Sequence, residues 1–192
     1  MAESYIYAAT GKCKNSNIKK MIDRKINSPL TSSAGRLFDA VASLVLGIRK
    51  ANFEAELPIE FEKLAAKDSE ESYRYDLIDE SPAILSSALI FKGVIADVNK
   101  MVDKAVISAK FHNTVAHMIS ETASFLGKKS RAKKIVLSGG VFQNNYLTDK
   151  VLEYLGKSGF KVYRHARLYT TDSGIPIGQI AIASERIFHI ER

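Results

Sequence analysis

The sequence predicts an α/β protein with parallel strands and a large helical portion. Three observations predict it. Lys134 to Leu137 is a β-branched run that stops abruptly at Ser138-Gly139-Gly140, and Phe160, Val162 and Tyr163 alternate as a second strand. Between them Leu147, Val151, Leu152 and Leu155 recur at helical spacing, closed by Gly156 and Gly159. That order implies a right-handed βαβ unit with parallel strands. Ahead of it, helical periodicity dominates.

The elements follow in order. Residues 1–30 form a polar, weakly periodic segment ending at Asn27-Ser28-Pro29, where the proline disfavours helix in the residue before it. Residues 31–192 form the main lobe. Thr31-Ser32-Ser33 is a helix-capping signal, and Ala34, Leu37, Phe38, Val41, Val45 and Ile48 follow at helical spacing, with Gly47 weakening the end. Pro58 opens a shorter helix through Phe61, Leu64 and Ala65. A charged loop spans 67–72, and Tyr73 to Ile78 alternate as a strand. Ser81-Pro82 begins a helical stretch through Leu85, Leu89 and Val94. A long helix is expected over 102–127, its stripe made of Phe111, Val115, Met118, Ile119 and Leu126, interrupted by Thr122. The loop Thr170-Thr171-Asp172-Ser173-Gly174 leads to a last helix through Ile180, Ile182 and Ile187.

Composition narrows the function classes. A chain of 192 residues suits one domain or one large lobe. No apolar run approaches the ~20 residues that span a bilayer, and Met1-Ala2-Glu3-Ser4 lacks the features of a signal peptide. No membrane partner is expected. The single cysteine, Cys13, excludes an internal disulfide and a cysteine-rich zinc site and fits a reducing cytoplasm. The net charge of +7 is concentrated in Lys12–Lys25 and in Lys128–Lys134. Both clusters read best as solvated faces. No aromatics interleave with the second, so nucleic acid is not an expected partner.

Three motifs could carry chemistry. Ser138-Gly139-Gly140-Val141-Phe142-Gln143-Asn144-Asn145 lies at the carboxyl end of a strand, where ligands bind on open α/β sheets. Its glycines let backbone approach a ligand, and the next helix aims its first amides there, an arrangement that suits phosphate. A tight strand-to-helix turn with Asn144 as helix cap fits equally well. No Lys-Ser/Thr follows, so this is not a Walker A loop. In the second motif Gly35 and Asp39 are four apart on one helical face, off the apolar stripe. They leave room for a ribose, although spacing alone favours a solvated carboxylate. In the third, Asp172 sits before a helix. Spacing favours a cap, and a divalent metal facing phosphates is the functional alternative. His112 and His117 are ~140° apart on a helix and cannot chelate one metal together. His165 and His189 are isolated, with a structural or surface role as their default. No catalytic triad and no general base can be identified.

Together the motifs resemble a family. Ser32-Ser33-Ala34-Gly35-Arg36-Leu37-Phe38-Asp39-Ala40-Val41, Phe111-His112-Asn113-Thr114, Leu137-Ser138-Gly139-Gly140-Val141-Phe142-Gln143-Asn144 and Asp172-Ser173-Gly174 through Ile177-Gly178-Gln179 resemble, in that order, the hydrogenase-maturation carbamoyltransferases of the HypF family. The resemblance runs from about Asn27 to the end. It implies a partial actin/sugar-kinase-type (ribonuclease-H-like) lobe, similar to the tRNA-modification protein TsaD. It also implies use of carbamoyl phosphate and ATP to form carbamoyl-adenylate, and carbamoylation of the C-terminal cysteine of a HypE-like acceptor protein. By the same resemblance Gly35, Asp39, Ser138, Gly139, Gly140 and Asn144 contact the nucleotide (ATP or AMP), and Asp172 ligates a divalent metal (Mg, Zn or Fe).

The sequence also departs from the family. Phe53-Glu54-Ala55-Glu56 stands where the family has Tyr-Glu-Gly-Gln, and Ser173 stands where it has a glycine. The family's upstream histidine-rich metal motif and its acylphosphatase-like, zinc-finger and YrdC-like domains are not in this sequence. The chain is therefore expected to be a C-terminal part, a split gene product or a degenerate relative. A non-catalytic nucleotide- or partner-binding module and an antibiotic-type O-carbamoyltransferase part are the competing expectations. A TsaD-like tRNA role is weaker, because Phe142-Gln143 and Gly35-Arg36 match HypF.

Overall fold

Helix α1 (Ala2–Thr10) opens the chain in the computed structural model, which describes residues 1–79 and 83–190, except for the side chains of 188–190. The polar N-terminal segment is thus partly helical. Tyr5 stacks on Phe91 with ring centroids 4.8 Å apart, and Ala9 is buried. Helix α2 (Ser16–Asp23) buries nothing, and its Lys19 pairs with Asp23 on the surface. The first basic cluster is therefore a solvated face.

Helix α3 (Ala34–Leu46) is capped by Ser33 Oγ, which accepts from the Arg36 amide, and stops at Gly47 in a left-handed conformation. It buries Leu37, Phe38, Val41 and Val45 as its periodicity predicts. Ile48 lies beyond the helix and is exposed. Helix α4 (Glu56–Leu64) starts two residues before Pro58, which sits in its first turn, and buries Leu57 and Phe61.

The segment from 73 to 86 corrects the sequence reading. Only Asp76–Ile78 is strand (β1), and it pairs antiparallel with Ile84–Ser86 (β2), Leu77 opposite Leu85. Leu85 is in a strand, and the helix (α5, Ala88–Asn99) starts after it. Leu85 and Leu89, four apart, imitate a helical repeat across a strand–helix junction. The expected start at Ser81-Pro82 lies outside the described residues. Tyr73 is buried instead of paired: its amide donates to Thr114 Oγ1 and its hydroxyl to Asp97.

Helix α6 (Lys104–Ser130) is the axis of the lobe. Phe111, Val115 and Met118 are buried as expected, whereas Leu126 is exposed. Ser108, His112, Asn113 and Thr114 are also fully buried, because α3, α4, α5 and α7 enclose the middle of α6. Buried polar groups require partners. Asn113 Nδ2 donates to the Ser69 and Glu71 carbonyls, and Thr114 Oγ1 donates to the Lys110 carbonyl. The Thr122 hydroxyl, in contrast, is buried without a partner.

The βαβ unit is present. Strand β3 (Lys134–Leu137) runs parallel to β4 (Lys161–Arg164), joined by a 3-10 turn (Gly140–Gln143) and helix α7 (Asn145–Lys157). Leu147, Val151 and Leu155 of α7 are fully buried. A second 3-10 turn (Asp172–Gly174) leads into α8 (Ile175–Ile190). The α/β class, the parallel strands and the large helical share are as expected. Ile180, Ile182 and Ile187 of α8 are exposed rather than packed. No helix among the described residues is long and apolar enough to cross a membrane.

Candidate functional site

A cleft of about 1430 Å³ opens between the α3–α4 side and the turn that follows β3. Gly35, Asp39, Gly140, Asn144 and Asp172 all line it, so one wall collects residues from three distant segments. Ser138 and Gly139 are not among the lining residues. Ser138 Oγ lies 3.1 Å from His165 Nε2, so His165 is not isolated. The Gly139 amide donates to the Thr170 carbonyl at 3.1 Å, tying the glycine turn to the Asp172 loop. Gly139 has φ +100°, a conformation costly for a residue with Cβ, which explains this glycine. The next amides, Gly140 and Val141, open the 3-10 turn and so lack a partner within it.

At Gly35, α3 passes beside Val141. An added Cβ would lie 3.9 Å from Val141 Cγ2, in ordinary contact. Glycine is therefore not demanded by packing, and its effect is to leave the cleft open. Asp39 lies one turn further on and is half-buried. Partial burial raises its pKa, Arg36 opposes the rise and Glu54 adds to it. Hydroxyl donors in the cleft would relieve that burial cost.

The first amides of α7 do not await a phosphate. Glu62 Oε1 accepts from the Asn145 and Tyr146 amides at 2.7 and 3.3 Å, and Asn144 Oδ1 accepts from the Leu147 amide at 2.8 Å. A carboxylate from α4 already occupies that helix end, where negative charge is favoured. This corrects the expectation that α7 offers its amides to a ligand. Gly140 and Val141 are the free donors instead. The lining holds six carboxylates (Asp39, Glu54, Glu62, Asp149, Glu153, Asp172) and three lysines (Lys63, Lys67, Lys150). Of the lysines, Lys150 pairs with Glu70 at 2.6 Å and Lys63 with Glu60 at 2.8 Å. The surplus of acid disfavours a highly anionic ligand along this wall and suits a ligand that brings hydroxyl donors.

His112 lies directly behind the wall, fully buried. Burial pushes its imidazole down to about 4, against a hydrogen bond to Ser108 that opposes the fall. Nδ1 is 2.8 Å from the Ser108 carbonyl, and Nε2 is 2.8 Å from Asn144 Nδ2. Sequence reasoning set His112 aside as a partner of His117 in metal chelation, placed it in a family pattern without a role, and did not find Glu62. Both roles depend on contacts between separate helices.

Asp172 is exposed, at the start of its 3-10 turn. The cap position of that turn is held by Thr171, not Asp172, and no side-chain cap hydrogen bond forms there. Among the described residues no group of three or more His, Cys, Asp or Glu could hold a metal ion. His117 stacks on Tyr154, and the His189 side chain lies outside the described residues. The described residues do not complete a metal site.

Comparisons with known proteins identify the family and the fold. The family model described as "Carbamoyltransferase, Kae1-like Domain, second subdomain" matches residues 2–179. The match therefore includes α1. The chain is 31% identical over 168 residues to carbamoyltransferase HypF of Synechocystis, covering 86% of this chain and 21% of that protein. It is 29% identical over 151 residues to a tRNA N6-adenosine threonylcarbamoyltransferase of Clostridium perfringens, covering 78% of this chain and 44% of that protein. A full-length HypF, solved in its phosphate- and nucleotide-bound form, superposes with a TM-score of 0.88 at 38% identity, covering 96% of this chain and 31% of that one. The chain spans about a fifth of the length of the HypF carbamoyltransferases of Synechocystis and Rhodobacter capsulatus.

Proposed function

Because the chain belongs to the HypF carbamoyltransferase family, as the second subdomain of its Kae1-like domain, we propose that its cleft is the nucleotide-binding wall of a carbamoyltransferase. The observation that carries this reading is the convergence of Gly35, Asp39, Gly140, Asn144 and Asp172 on one cleft. The whole protein would use ATP and carbamoyl phosphate to form carbamoyl-adenylate. It would then carbamoylate the C-terminal cysteine of a HypE-like acceptor in hydrogenase maturation. A reducing cytoplasm suits a chain with one free cysteine.

Each residue has a part in this reading. Asp39 accepts from ribose hydroxyls, and Gly35 keeps the space above the helix clear. The Gly140 and Val141 amides stabilise negative charge on a phosphate or acyl oxygen, as oriented backbone donors do in a site that excludes water. Ser138 and Gly139 shape that turn through His165 and Thr170. Asp172 supplies one ligand to a divalent metal. The described residues alone do not complete that site.

Calorimetry with AMP and ATP tests the assignment. Asp39→Ala should weaken binding at least tenfold, about 1.4 kcal/mol, while the fold is retained. Equal affinities for wild type and Asp39→Ala would show that the nucleoside site is misplaced.

A further inference from the structure

Behind the cleft, a chain of hydrogen bonds has only one consistent arrangement of protons. The Ser108 carbonyl can only accept, so His112 Nδ1, 2.8 Å away, carries the ring proton. The Leu147 amide can only donate, so the Asn144 oxygen faces it at 2.8 Å and the Asn144 nitrogen faces His112. His112 Nε2 is then bare and accepts from Asn144 Nδ2 at 2.8 Å. At the far end Ser108 Oγ donates to the Phe61 carbonyl. The ring packs among Phe38, Phe61, Phe111 and Tyr146, with no charged partner among these contacts.

A carboxamide has two donors and two acceptor positions. Asn144 spends one of each on His112 and Leu147, so one N–H and one oxygen lone pair remain for an occupant of the cleft it lines. Were the amide flipped, its oxygen would meet the bare Nε2 and its nitrogen would meet the Leu147 N–H, two repulsive contacts at once.

We propose that His112 is a positioning residue that locks the Asn144 carboxamide in one orientation, so that its remaining donor and acceptor are presented together to the cleft. Such a pair matches the N7 and 6-amino edge of adenine, to which asparagine binds in a bidentate manner in other settings. Burial keeps the ring neutral through the physiological range, so the lock does not loosen near neutral pH. The identity of the occupant rests on the nucleotide reading above, whereas the lock itself does not.

Two measurements on the full chain test the proposal. Long-range ¹H–¹⁵N spectra of the histidine rings should show His112 with the proton on Nδ1 and a bare Nε2, and a proton on Nε2 overturns the lock. Calorimetry with AMP then compares wild type, His112→Leu and His112→Gln. The glutamine oxygen can take the place of Nε2 as acceptor, and leucine cannot. His112→Leu should lose roughly tenfold in affinity, and His112→Gln should stay within about threefold of wild type. Equal affinities for the two variants overturn the positioning role. If wild type binds no AMP, the nucleotide reading fails, and the ring spectrum alone upholds or overturns the lock.

Discussion

A single buried imidazole makes the folded state sensitive to mild acid. The ordinary value for His112 is 6.5, and burial lowers it to about 4. As pH falls, the unfolded chain takes up this proton before the folded one does. The stability tied to His112 is therefore intact above about pH 6.5 and declines as pH falls. It is gone by about pH 4, a loss of about 3 kcal/mol. Urea midpoints of wild type and His112→Gln, measured from pH 7 to pH 4.5, should converge as pH falls. Parallel curves would sink the idea, because the other histidines are common to both proteins. Its partner Asn144 serves both as the α7 cap and as donor to Nε2. Asn144→Ala should cost about 2–4 kcal/mol in chemical denaturation, from a lost cap and an unpaired buried nitrogen. Asn144→Asp keeps the cap but faces Nε2 with a carboxylate, so the His112 titration should move up. The Asn144 cap was legible in the sequence, but its bond to His112 was not. Phe111-His112-Asn113-Thr114 stood out only as part of a family pattern, and His112 and Asn144 are 32 residues apart.

At the level of elements, periodicity located α3, α4 and α7 because each has one dominant buried face. It failed where that condition fails. The middle of α6 is buried all round, so polar residues there belong to the interior, and three-residue strands are too short to show alternation. The start of α4 carries strain that the sequence hinted at. Ala55 precedes the helix with φ 62° and ψ 10°, a left-handed conformation that favours glycine, at the position where the family has one. Ala55→Gly should therefore stabilise the protein by about 1 kcal/mol, read from thermal unfolding. An unchanged or lower Tm would show that the neighbouring Glu56–Asn52 bonds already compensate. Gly35→Ala offers a cleaner separation of binding from folding. Added Cβ contacts are ordinary, and alanine favours helix by up to ~1 kcal/mol, so Tm should hold or rise. AMP affinity should fall, and a variant that keeps full affinity would mean that Gly35 does not border the ligand.

For the molecule as a whole, the core and the C-terminal helix belong to different regimes. Leu147, Val151 and Leu155 join α7 to the α3–α6 interior, whereas α8 leaves Ile175, Ile177, Ile180, Ile182 and Ile187 exposed. Its principal contacts are with the 3-10 turn directly before it. A chain ending at Gly174 should keep the urea midpoint of the full chain and gain solubility, since it sheds an exposed apolar surface. A large drop in the midpoint would mean that α8 contributes to the fold. Motif order in the sequence foreshadowed the cleft, because it placed Gly35, Asp39, Gly140, Asn144 and Asp172 in one family pattern. How the wall is closed was not foreshadowed, since Glu62 reaches α7 across 83 residues. That contact has a thermodynamic consequence. Glu62 and the Phe61–Ser108–His112–Asn144 series fasten α4 to the start of α7, so the wall is shaped before anything enters. A ligand arriving there meets a rigid template. The heat-capacity change on binding should reflect only the apolar area that the ligand covers, without the added contribution of a segment folding around it.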